Sequence, residues 1–197
     1  MRPPLRFGTV YDFRNTPDSG MDMPSLYAAI MDQVVMLDRL GLDLVWFTEH
    51  HFLDDGYLPS WVPMAGAIAA RTKRVRLSSD VCLLPFNHPL RLAEDLAVLD
   101  NISNGRIEVG VGMGYAPHEF RGFGLPVSRR VSLTDEGIEV WRSVRFFGRF
   151  GIYNSCCKIP KPAERIMSRT TKGLMVASDH LDSAAAAAVP GSGLQLR

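Results

Sequence analysis

Residues 88–114 read HPLRLAEDLAVLDNISNGRIEVGVGMG, and this stretch decides the fold. Pro89 suits the first turn of a helix, and Leu92, Leu96 and Leu99 follow at spacings of four and three, which makes one helical face apolar. Asn104-Gly105 ends that helix, because these residue types adopt a left-handed backbone at low cost. Ile107-Glu108-Val109-Gly110-Val111-Gly112 then reads as a short strand closed by glycines. A helix, a two-residue break and a strand make one step of an α/β protein.

Upstream, the same step recurs. Leu5–Tyr11 is the expected first strand, followed by a polar loop from Arg14 to Pro24. Ser25 is the expected N-cap of a helix whose apolar stripe is Leu26, Ile30, Val34, Leu37 and Leu40, and Gly41 stops it. Leu44–Thr48 is a nearly continuous apolar run, the composition of a parallel strand covered on both faces. A loop leads to Trp61, and Pro63 suits the first turn of a helix through Ala70. A third strand is expected from Val75 to about Leu84, a short helix over Ala116–Phe123, and a last helix capped by Thr134 and running to about Phe147. The four strands centre near residues 8, 46, 79 and 110, at steps of 38, 33 and 31 residues, each the size of one βα unit. Such a series builds either an open doubly wound sheet or a TIM (β/α)8 barrel, of which four units are half, and the pattern alone does not separate the two.

From Phe146 the alternation of strand and helix stops. Residues 151–197 carry six basic and three acidic side chains, against 16 basic and 18 acidic in the remainder, so the charge changes sign there. Residues 1–147 are therefore read as one α/β unit. Residues 148–197 are read as a poorly ordered tail without strand–helix alternation, holding at most one helix around Ser183–Val189.

Composition narrows the function. The net charge of +1 gives no sign of nucleic acid or of a membrane surface as partner. No run of about 18 apolar residues predicts a membrane span, and the start MRPPLRFGTV lacks the apolar core of a signal peptide. Cys82, Cys156 and Cys157 do not make a disulfide framework, so a reducing cytoplasm is the simplest home.

Glu49-His50-His51 falls where a strand ends, the functional edge in both architectures. His50 is a residue type that exchanges a proton near neutral pH, and a plain loop-start hydrogen-bonding role is the alternative. Consecutive strand residues point to opposite faces, so His50 and His51 do not grip one metal ion, and the helical His-Glu-x-x-His spacing is absent. Gly110-Val111-Gly112-Met113-Gly114 departs from a dinucleotide fingerprint because its third glycine comes one residue early. Glycines at a strand end more simply admit a ligand or another backbone. His88 reads as a helix cap, Glu94-Asp95 as a solvated pair, and Arg91 and Arg106 as ion-pair partners.

Taken together, these stretches resemble the bacterial luciferase-like flavin-dependent monooxygenases. Trp46–Phe52 (WFTEHHF), Leu84–Asp95 (LPFNHPLRLAED), Leu99–Arg106 (LDNISNGR), Gly110–Gly112, Glu119–Gly124 (EFRGFG) and Ser128-Arg129 match the family in order and spacing over roughly residues 5–147. The resemblance implies a (β/α)8 barrel, reduced FMN or a deazaflavin as cofactor, O2 as co-substrate, and a small organic substrate. A flavin reductase would be the electron source, and a dimer is compatible with it. By motif, His50 matches the family's active-site histidine, with Glu49 and His51 beside it. Ser79–Cys82 matches the bulged end of the third strand, where the family often has a non-prolyl cis peptide against the flavin; the match is Asp80–Val81, with Cys82 next to it. Gly112 and Met113 stand where the luciferase α chain has a reactive cysteine and a phosphate-binding arginine. That departure points away from light emission and toward a general monooxygenase or a deazaflavin-dependent hydride-transfer reductase. A non-catalytic flavin-binding relative and an inactive fragment are the rivals. The family's second half is not recognisable in residues 148–197, so half a barrel with two open sheet edges is expected, its strand residues Phe7, Val45, Phe47, Leu77, Val109 and Val111 facing a core that lacks one wall.

Overall fold

A computed structural model describes residues 5–143 and 174–176. The first strand, β1, is Gly8–Tyr11. The helix after it, α1, spans Met23–Leu40. Its N-cap is Asp22, three residues before the expected Ser25, because the Asp22 carboxylate accepts the Ser25 N–H at 2.8 Å while Pro24 fits the first turn. Gly41, at φ 93°, ends it. Then come β2 (Leu44–Phe47), α2 (Trp61–Arg71) and β3 (Arg76–Ser79). The third strand does not run unbroken to Leu84. The Asp80–Val81 peptide is cis, and the chain resumes as β4, Cys82–Leu83. Helix α3, Pro89–Ser103, opens on Pro89 with His88 as its cap and closes on Asn104 at φ 57°, as its sequence foretold. Next are β5 (Val109–Gly112), α4 (Pro117–Gly122) and α5 (Arg130–Ser143). Helix α5 starts four residues before Thr134, whose hydroxyl donates to the Arg130 carbonyl at 2.8 Å from inside the helix.

All strand pairs are parallel, and their order follows the chain. β1 pairs with β2 and β2 with β3, while β4 pairs with β5. A bridge from Leu77 to Ile107 and the Ser79 hydroxyl on the Gly110 carbonyl, at 2.8 Å, join the two groups. A doubly wound sheet would reverse its order at a switch point, and none occurs among the described strands. The fold is α/β of the TIM-barrel type. A further strand, β6 (Leu174–Val176), pairs parallel with β5, with Val109 opposite Leu174. Apart from these three positions, the reading of residues 148–197 as a poorly ordered tail without strand–helix alternation lies outside the described residues. The helix expected around Ser183–Val189 lies outside the described residues.

The core lies between strands and helices. Val45, Phe47, Leu77 and Val111 are fully buried and cluster with Trp61, Ile68 and Leu99 from α2 and α3. Phe7 does not join them; it is 64% exposed. Arg106 forms no close ion pair among the described residues. It is buried, and its guanidinium donates to the carbonyls of Ser103, Val75, Ala69 and Thr72 and to the Thr72 hydroxyl, at 2.6–3.1 Å. It thus ties the ends of α2 and α3 to the start of β3. Asp38 does similar work from α1, accepting the backbone N–H groups of Lys73, Arg74 and Val75 at 2.7–3.0 Å. Among the described residues, no helix is long and apolar enough to cross a membrane.

Candidate functional site

Glu49, His50 and His51 follow β2 after one residue, Thr48, at the C-terminal edge of the parallel strands. The alternation of strand side chains sends His50 to one face and its two neighbours to the other. His50 Nδ1 lies 2.8 Å from Glu119 Oε1, on the first turn of α4. The same oxygen accepts the backbone N–H of His51 at 2.9 Å, so one carboxylate fixes both the ring and the backbone it hangs from. Glu119 is completely buried, and its Oε2 has no partner among the described residues. Burial alone would raise its pKa. The hydrogen bonds from the His50 ring and the His51 backbone N–H, with the attraction that either imidazole exerts when protonated, outweigh that and hold it below the usual carboxylate range. An ionised carboxylate only accepts, so His50 Nδ1 carries the proton and Nε2 is left as the outward nitrogen. The His50 side chain is 24% exposed, open to a reactant on that side.

Two tyrosines flank the imidazole edge-on, Tyr57 at 4.8 Å and Tyr115 at 5.9 Å between ring centroids. Tyr57 is placed by a loop bound across the mouth of the strands. Leu58 N–H donates to the Asp12 carbonyl at 2.9 Å, Asn15 N–H to the Asp55 carbonyl at 2.7 Å, and His50 N–H to the Leu58 carbonyl at 3.2 Å. The Arg14 guanidinium pairs with Asp55 at 2.9 Å and covers the Tyr57 ring at 5.1 Å. Burial raises the phenol's pKa, so Tyr57 is a neutral donor beside His50.

The glycines of β5 admit the neighbouring Ser79–Val81 segment. A Cβ on Gly110 would collide with the Ser79 carbonyl, and one on Gly112 with the Val81 side chain. The Ser79–Val81 segment therefore lies flat against β5, with the cis Asp80–Val81 peptide at the strand edge and Met113 half-buried beyond Gly112. The remaining expected residues lie on the other face. His51 Nε2 meets Glu49 Oε1 at 3.0 Å, and Cys82 is buried beside Glu49, where desolvation and that carboxylate push its thiol pKa well up. The structure thus brings Glu49, His51 and Cys82 together behind β2, and His50 with Glu119 in front of it. Among the described residues, no three of His, Cys, Asp and Glu converge as a metal site. In the sequence Glu119 stands out only as part of the EFRGFG motif, and Tyr57 carries no signal. Glu119 is 69 positions from His50 in the chain, and only folding brings a carboxylate onto the imidazole.

Residues 5–196 match the family described as luciferase-like monooxygenase. The alkanal monooxygenase alpha chain of the Kryptophanaron alfredi symbiont is 30% identical over 139 residues, which is 71% of this chain and 39% of that protein. The monooxygenase RslO1 from Streptomyces bottropensis superposes with a TM-score of 0.66 at 36% identity, covering 71% of this chain and 43% of the other. At 22% identity, the oxygenating constituent of 3,6-diketocamphane monooxygenase from Pseudomonas putida, solved with FMN, shares the fold at a TM-score of 0.65 over 71% of this chain and 39% of its own. The chain spans less than half the length of the curated relatives most similar to it, from 28% to 42%.

Proposed function

The chain belongs to the luciferase-like monooxygenase family, and from that premise we propose that it carries the proton-handling edge of a flavin-dependent monooxygenase acting on a small organic molecule. The observation that carries this is the buried Glu119 carboxylate on His50 Nδ1 at the C-terminal edge of parallel strands. Reduced FMN, when bound, supplies the electrons that reduce molecular oxygen. The residues present fit a planar ring system. The Ser79 carbonyl and the Val81 side chain pack directly on Gly110 and Gly112, which holds the cis Asp80–Val81 peptide at the strand edge as a surface for it. Asp80, Val81, Gly112 and Met113 are the residues that would line it.

His50 Nε2 takes or returns a proton on the reacting side, while Glu119 fixes the tautomer and stabilises the charged ring. Tyr57 and Tyr115 hold the imidazole plane from its edges. A separate flavin reductase is the proposed source of reduced FMN.

The test is oxygen uptake and product analysis with enzymatically reduced FMN. His50→Ala lowers turnover by about 10²–10⁴-fold while FMN affinity stays within about twofold. Equal turnover in variant and parent rejects the role of His50. Turnover that persists without oxygen, on a reduced deazaflavin, replaces oxygenation with hydride transfer.

A further inference from the structure

His51 reaches both faces of the strand end. Its backbone N–H donates to Glu119 Oε1 at 2.9 Å, the same oxygen that holds His50 Nδ1. Its ring lies behind β2, where Nε2 meets Glu49 Oε1 at 3.0 Å. Phe123 and Phe86 close on that ring edge-on, at 4.8 and 5.6 Å between centroids. Glu49 is itself fixed. Its side chain is 4% exposed, and the buried Cys82 thiol donates to its carboxylate, with the Trp61 indole against the sulfur. A run of contacts thus leads from α2 and β4, through Glu49 and His51, to the carboxylate that holds His50.

Glu119 Oε2 has no partner among the described residues, so the two donors on Oε1 orient the carboxylate. One of them is the His50 ring, which the carboxylate itself has to fix. The other, the His51 N–H, is set from outside that pair, and the backbone presenting it needs an anchor. The next residue, Phe52, has φ 59°, a left-handed region that a bulky side chain seldom adopts and that neighbours must enforce. The Phe52 ring is 61% exposed and anchors the turn weakly, whereas the His51 side chain is 12% exposed and hydrogen-bonded. We propose that Glu49 is a positioning residue for His50: it holds the His51 ring, and through it the backbone N–H that keeps Glu119 on His50 Nδ1. This rests on the role given to His50 above, but ring-nitrogen NMR reads it without flavin or turnover.

In the parent, the ¹⁵N signals of the neutral His50 ring show one tautomer, with the proton on Nδ1. Glu49→Leu and His51→Phe each cut the link from one end. The double variant replaces both polar partners by apolar groups, so neither is left buried alone. In all three the His50 signals move toward a mixture of tautomers, although His50 and Glu119 are untouched. Glu49→Gln keeps an acceptor for His51 Nε2 and retains the parent's tautomer. In the oxygenation assay the cutting variants lower kcat about tenfold and leave KM within about twofold. A cutting variant that keeps the single Nδ1 tautomer overturns the proposal. So does Glu49→Gln if its His50 signals mix as far as those of Glu49→Leu, since charge and not anchorage is then the cause. One reading needs no variant: the His51 ring of the parent carries a proton on Nε2, and a ring protonated on Nδ1 alone overturns the proposal. A parent whose His50 lacks the single tautomer overturns the His50–Glu119 pairing and this proposal with it; a parent that has it, with cutting variants unchanged, overturns this proposal alone.

Discussion

At the scale of single residues, Glu119 decides what His50 can do. An imidazole at the end of a strand rotates and exchanges tautomers freely; one bound through Nδ1 to a buried carboxylate does neither. Glu119→Gln keeps the shape and removes the charge. Turnover falls with the His50 tautomer no longer fixed, and the ring-nitrogen signals of His50 in a ¹⁵N spectrum move toward a mixture of tautomers. Ring-nitrogen signals identical in variant and parent refute the pairing. The same carboxylate links stability to pH. Its folded pKa lies below its unfolded value of about 4.3, so its contribution is present above that pH and is lost as pH falls through the folded value. Denaturant unfolding of the parent should weaken on acidification below about pH 4.5 more than that of Glu119→Gln does.

At the scale of elements, the strands are short and the connections carry the register. Asp38 at the end of α1 accepts three consecutive N–H groups from the turn entering β3. Burial opposes its ionisation, yet the donors of Val75, Lys73 and Arg74 hold its pKa below the usual value. Asp38→Asn places an amide N–H against one of those donors and should cost about 1–3 kcal/mol in urea unfolding. Tight contact between β5 and the Ser79–Val81 segment sets a second expectation. Gly110→Ala puts a methyl group onto the Ser79 carbonyl, a backbone atom that has no side-chain freedom with which to yield. A loss of about 1–3 kcal/mol is expected. An unchanged midpoint in either variant shows that the segment adapts more readily than its packing suggests.

For the whole molecule, the decisive fact is that parallel strands follow one another in chain order. β1 pairs only with β2 among the described residues, and Leu5, Phe7 and Val10 on or beside it are exposed. An apolar strand edge of this kind pairs with another chain. Sedimentation should therefore show concentration-dependent self-association, which Val10→Lys reduces. A single monomeric species at all concentrations would remove the β1 edge as its cause.

Local chemistry in the sequence was enough for most helices and strands up to α5. Pro89 with Asn104-Gly105 bounded α3, and the apolar run of Leu44–Phe47 marked a covered strand, because propensity and periodicity act within a few residues. The apolar run of the strand set His50 just past its end, the resemblance set a cis peptide at Asp80–Val81, and both are found there. Element starts were less legible. Asp22 outcompeted Ser25 as a cap, and α5 began before Thr134, since neighbouring polar residues offer near-equivalent caps and packing selects among them. Only the tertiary structure turned Arg106 from an ion-pair candidate into a tie between carbonyls. Only it brought Glu119 onto His50, and set Glu49, His51 and Cys82 behind the strand. Those outcomes depend on which groups meet after burial, where each polar atom must find a partner from a distant part of the chain. A sequence names the atoms that need partners, and the packed fold chooses the partners.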